Sequence, residues 1–180
     1  DLPLGTVTAM PGIVTAIALL IFAARFWRFS LSRYLDLVAP MWCFAHVWGR
    51  LGCFLAGCCF GVPSDGPWAV VFPEGSFAHT AYGPTGVHPT QLYEMGVLLV
   101  LGLVLTYRVK PGWRVGSYLF GYGVGRFVIE EFRGDLRGDL ALVPGLSPSQ
   151  QTSLIFVLVG CALLSWKRWK AVDSLGPSIN

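Results

Sequence analysis

HVWGRLGCFLAGCCFG, residues 46–61, is apolar along most of its length yet carries Arg50 near its start. GYGVGRFVIEEF, residues 121–132, repeats the pattern with Arg126. A guanidinium stays protonated at any ordinary pH. At membrane depth it costs roughly 3 kcal/mol on insertion scales and more in simulations. Each arginine therefore calls for an anionic partner or a polar cavity. Gly49, Gly52 and Gly57 remove bulk around Arg50, so a neighbouring backbone or a ligand can approach closely.

The rest of the chain agrees with a membrane setting. Of its 180 residues, 54% are hydrophobic and 13% charged, too few charges to cover a soluble surface. Soluble domains carry about 25%. Aromatics reach 14%, with seven Trp, a composition suited to membrane interfaces. The net charge of +3 is accordingly no nucleic-acid signal. The class is an all-α integral membrane protein, residues 1–180 forming a single membrane domain. Five apolar stretches are long enough to span, near 11–29, 35–55, 92–107, 115–132 and 149–166. A polar, Pro/Gly-rich loop at 61–89 separates the second from the third, and Trp68–Phe72 within it reads as a short strand. The chain begins at Asp1 without a signal-peptide pattern, and is read as starting inside a longer protein.

Basic residues orient this bundle. Arg25, Arg28 and Arg33 follow the first span; Arg108, Lys110 and Arg114 lie between the third and fourth; Lys167, Arg168 and Lys170 follow the fifth. By the positive-inside rule these clusters and the C-terminus are cytoplasmic. The 61–89 and 133–148 loops then face outward. Arg50, Arg126, Arg133 and Arg137 remain, and topology accounts for none of them.

Three constellations carry polar chemistry. His46, Arg50 and Cys53 fall on one helical face, either an anion clamp or a small-residue packing face with Arg50 on a structural carboxylate. His88-Pro-Thr-Gln91-Leu-Tyr93-Glu94 opens the third span with several donors and acceptors, or simply caps it. Arg126 and Glu130 stand at i and i+4, so they either pair with each other or serve a ligand. Gly134-Asp135 and Gly138-Asp139 read as turns. Cys43 and Cys161 read as packing residues. Cys53, Cys58 and Cys59 lack paired-zinc spacing, and stand for either packing or thiol and metal chemistry. A Cys53–Cys58 disulfide is unfavourable if that stretch stays helical.

Taken in order, GRLGCFLAGCCFG (49–61), PSDGPWAVVFP (63–73), HPTQLYE (88–94) and YGVGRFVIEEFRGD (122–135), with LSRYLDLVAP (31–40) before them, resemble the motifs of bacterial prolipoprotein diacylglyceryl transferase. The resemblance spans about Met10 to Trp166. It implies a bacterial inner-membrane enzyme whose site faces the outer leaflet. Such an enzyme moves diacylglyceryl from phosphatidylglycerol to the lipobox cysteine thiol of a lipoprotein precursor, without metal or soluble cofactor. It implies that Arg50 and Arg126 hold the lipid phosphate, with His46, Gly49, Gly61 and Gln91 lining the substrate site. It also implies catalytic roles for His88, Tyr93, Glu94 and Glu130. Some positions depart from the family pattern GRxGNFxNGExxG: Cys53 and Ala56 stand at its asparagines and Cys58 at its glutamate. Met10 stands where the family has a histidine, and two further N-terminal spans of the family are not in this chain. The GCFxxGCCxG form resembles a divergent branch. Two readings follow: a diacylglyceryl transferase, or a non-catalytic lipid-binding or structural subunit of a larger membrane complex.

Overall fold

A computed structural model describes residues 9–134 and 143–173. Its secondary structure there is helical: α1 Ala9–Phe26, α2 Leu31–Ala56, α3 Phe77–Tyr82, α4 Thr90–Tyr107, α5 Arg114–Glu130 and α6 Pro148–Asp173. The five long helices coincide with the five apolar stretches to within a few residues at most ends. Two of them, Thr90–Tyr107 and Pro148–Arg168, are long and apolar enough by composition to cross a membrane. The Gly138-Asp139 turn, Asp135 and Arg137 lie outside the described residues.

The bundle is polar inside and apolar outside. Glu94 and Gln91 are each 1% exposed, and Asp36, Thr90, Arg126, Gln150 and Ser153 are also buried. Trp48 is 72% exposed, and Trp42, Leu55, Val100 and Leu158 face outward with it. In water this distribution is unfavourable, because buried charges lose hydration and exposed apolar area gains nothing. In lipid it is the stable arrangement.

Close backbone approach lets the helices bring those polar groups together. α5 packs most extensively on α6, and α2 on α4; α4 and α2 each also meet α5. At the α5–α6 crossing, a Cβ on Gly160 would come within 2.6 Å of the Phe120 nitrogen. One on Gly123 would meet the Ser153 carbonyl oxygen at 2.8 Å. Glycine at both points is what allows the contact. At the start of α5, the Asp36 carboxylate of α2 accepts from the backbone N–H of Gly112, Arg114 and Val115. It thereby satisfies donors that the first turn of a helix leaves unpaired.

The segment joining α2 to α4 contains no strand. Val70 and Val87 form an isolated antiparallel bridge, as do Pro63 and Val87, and Gly61 and Arg133. The strand expected at 68–72 fails because its partner offers pairing at Val87 alone. Phe60, Phe72, Ala78 and Val87 instead make a small apolar core, with Phe54, Val70 and Tyr82 packed on it. Gly61 sits beneath this cap, where a Cβ would overlap the Phe132 carbonyl and the His88 side chain.

Candidate functional site

Arg50 and Arg126, far apart in sequence, converge on one carboxylate. Glu94, in the second turn of α4, receives Arg50 Nη2 on Oε1 at 2.9 Å. Arg126 Nε approaches its other oxygen, Oε2, at 3.9 Å. His46 Nε2 stands 3.8 Å from Oε1, and the Tyr122 hydroxyl donates to the same oxygen at 2.8 Å. Helical spacing explains the arrangement: His46 and Arg50 are one turn apart on α2, and Tyr122 and Arg126 one turn apart on α5.

A second layer lies on the α6 side. Arg126 Nη2 pairs with Glu130 Oε2 at 2.7 Å and donates to Ser149 Oγ at 3.2 Å. The Ser147 hydroxyl donates to Glu130 Oε1 at 2.9 Å, and Arg133 Nε lies 3.9 Å from Oε2. Three buried donor or ring atoms, Arg50 Nε, Arg126 Nη1 and His46 Nδ1, have no hydrogen-bond partner among the described residues. The ion pairs described join three guanidinium groups to two carboxylates, and Arg50 Nε and Arg126 Nη1 remain without acceptors, an arrangement suited to an anion.

The remaining sequence-predicted residues divide by location. His88 Nδ1 and the Tyr93 hydroxyl are 2.9 Å apart. They lie in an aromatic group with Trp68 and Phe132. Neither makes a contact given for the Glu94 cluster. Gln91 is buried and donates to the Cys58 carbonyl at 2.6 Å, while Thr90 donates to the Cys59 carbonyl at 2.6 Å. Gly61 is a packing position; a Cβ at Gly49 would meet nothing within 4 Å. Sequence reasoning missed Tyr122, Ser147 and Ser149. A tyrosine in an apolar helix is itself a signal, because its hydroxyl needs a partner when buried.

The cysteines follow from the end of α2. Gly57 adopts φ +63 and closes the helix, its N–H reaching the Cys53 and Phe54 carbonyls. Cys59 is also left-handed, at φ +62. The chain folds back, so the stretch does not continue as a helix through Cys58. All five cysteines are thiols. Burial, then the neighbouring Cys59 and Cys53, pushes the Cys58 thiol up to about 12.

Helices with an inside-out polarity, closed around a buried arginine–carboxylate cluster, define a membrane-embedded protein. The family model for prolipoprotein diacylglyceryl transferase matches residues 9–166, and the chain belongs to that family. It is 36% identical over 149 residues to a phosphatidylglycerol–prolipoprotein diacylglyceryl transferase of Clostridium tetani, covering 79% of this chain and 57% of that protein. It is 39% identical to the one from Rhodospirillum rubrum, over 83% of this chain and 55% of the relative. Against the Idiomarina loihiensis protein the figures are 35%, 85% and 57%. The chain spans about half the length of the curated relatives it matches. The family is one of inner-membrane proteins.

Proposed function

We propose that the chain carries the phospholipid-binding centre of a diacylglyceryl transfer reaction, from phosphatidylglycerol to the cysteine thiol of a lipoprotein precursor. The observation that carries this reading is the pair of arginines sharing Glu94 while Arg50 Nε and Arg126 Nη1 lack acceptors. A lipid phosphate meeting those donors gains charge-assisted hydrogen bonds. Five membrane-spanning helices, cytoplasmic basic clusters and a cytoplasmic C-terminus complete the reading, with the cluster opening to the outer leaflet.

In the proposed step the acceptor sulfur attacks the glyceryl carbon that carries the phosphate. A carbon–sulfur bond forms and the carbon–oxygen bond breaks. The electron pair leaves with glycerol phosphate, whose growing negative charge Arg50 and Arg126 stabilise. The thiol proton passes to a base. His46 is the group we assign, because Nδ1 has no partner and Nε2 faces Glu94. Glu94 then stabilises the imidazolium, as an orienting carboxylate does for a histidine base. His88 and Tyr93, paired with each other, act at the mouth of the site.

Transfer of a labelled diacylglyceryl group from phosphatidylglycerol to a lipobox peptide tests the reading. Label should appear on the cysteine and depend on Arg126. The alternative, lipid binding without turnover in a membrane complex, is favoured by Cys58 standing where the family pattern has glutamate. It predicts phosphatidylglycerol binding that depends on both arginines, no label transfer, and co-purification with a complex at fixed stoichiometry.

A further inference from the structure

Cys53, Cys58 and Cys59 place their sulfur atoms within 4.8 Å of one another. We propose that these three thiols are a binding site for a thiophilic d10 metal cation, zinc being the first candidate. The site shares no residue with the Glu94 cluster and does not depend on the lipid-transfer reading.

Geometry carries the argument. Three sulfurs bound to one zinc at ~2.3 Å stand about 4 Å from each other. Closing the observed cluster onto an ion therefore takes side-chain adjustments of less than about 1 Å per pair. The spacing in sequence hides this, because Cys53 lies in the last turns of α2 while Cys58 and Cys59 lie beyond its end. The left-handed residues Gly57 and Cys59 turn the chain back to bring them together. A non-glycine residue in that region carries strain of about 1–2 kcal/mol and persists only where its surroundings enforce it. Here the enforcing groups are Thr90 and Gln91, both 1% exposed, which hold the Cys59 and Cys58 carbonyls at 2.6 Å each. The opening turn of α4 thus fixes the shape of the thiol cluster.

Access also fits. Cys58 and Cys59 line a cavity of about 660 Å³ together with Phe60, Phe77, Tyr82 and Gly134. An ion can reach the thiols from there, and a three-thiol site leaves a coordination position open. On binding, three S–H bonds break and three sulfur–metal bonds form; three protons leave and no electron is transferred. A divalent cation on three thiolates leaves one net negative charge.

Cobalt and zinc titrations test the proposal on the full chain in detergent. The protein is stripped with chelator, reduced and desalted without oxygen. Co2+ should produce thiolate-to-cobalt charge-transfer absorption that saturates at one ion per chain, and Zn2+ should bleach it. Second-shell changes alone weaken metal sites by about 10–100-fold, so Cys53→Ser, Cys58→Ser and Cys59→Ser should each weaken binding by at least about 100-fold. Cys161→Ser, an exposed position outside the cluster, should bind as the parent does. Absence of the absorption in folded parent protein, checked by helical circular dichroism, overturns the site whatever the variants do. So does absorption that survives all three serine variants. A disulfide among the three cysteines in protein isolated without reductant overturns it as well.

Discussion

Arg50 Nη2 sits 2.9 Å from Glu94 Oε1, an ion pair that ties α2 to α4 through a carboxylate 1% exposed to solvent. Removing one partner of a buried pair leaves the other charge uncompensated, at about 3–5 kcal/mol. Glu94→Ala should therefore destabilise the detergent-solubilised protein by that amount, read as a lowered unfolding midpoint. Arg50→Ala combined with Glu94→Ala should cost less than the two single changes added together. Strict additivity of the two would show that the pair contributes no coupling.

Arg126 differs from Arg50 in that it touches both Glu94 and Glu130. Losing one preorganised donor to a developing oxyanion typically costs about 100- to 1,000-fold in rate. Arg126→Ala should lower diacylglyceryl transfer by that factor, and Arg126→Lys should restore only part of it, since an ammonium cannot reproduce the guanidinium fork. A transfer rate unchanged in Arg126→Ala would remove the arginine from the proposed mechanism.

The Tyr122 hydroxyl gives Glu94 its one neutral donor among the contacts described above. Hydrogen bonds to charged groups contribute about 1.5–3 kcal/mol. Tyr122→Phe should lower stability by about this much while keeping the ring contact with His46. Chemical unfolding of the two proteins side by side decides it; equal midpoints would mean that the hydroxyl is dispensable.

Asp36 acts at the other end of α5, away from the Glu94 cluster. Loss of a helix cap costs about 0.5–2 kcal/mol, and this carboxylate serves three backbone donors. Asp36→Ala should fall at the upper end of that range, with Asp36→Asn milder because one acceptor oxygen remains. Phosphatidylglycerol affinity of the folded fraction should be unchanged in both variants.

Gly160 meets the α5 backbone so closely that a single methyl must push the helices apart. Overpacking of this kind costs about 1–3 kcal/mol. Gly160→Ala should also reduce transfer, because Ser149 on α6 reaches Arg126 only while the two helices stay close. Ala at Gly49, where a Cβ meets nothing, is the matching control for packing.

Long-period features were legible in the sequence. α4 and α6 follow from apolar runs, the first of them short, and Arg50 and Arg126 stand out because a membrane charge needs a partner. The partner itself was not legible. Arg126 has Glu130 at i+4, a relation any helix displays, whereas Glu94 reaches both arginines only through the packing of α4 on α2 and α5. In sequence it stands beside His88 and Tyr93 in HPTQLYE. Successive residues on a helix point in different directions, so Glu94 turns inward while Tyr93 joins His88. The apolar Trp68–Phe72 piece reads as a strand, but a strand needs a neighbour, which no local pattern reveals. The fold-back that gathers the three thiols did leave a signal in Gly57, a glycine placed where helices commonly end.

Synthesis of the chain proceeds from α2 to α4, so Arg50 exists before the carboxylate that neutralises it. Until α4 arrives, that guanidinium lacks the Glu94 carboxylate. α2 therefore leaves synthesis with its buried charge uncompensated, and α4 supplies the compensation. Assembly order is thus written into the position of one glutamate.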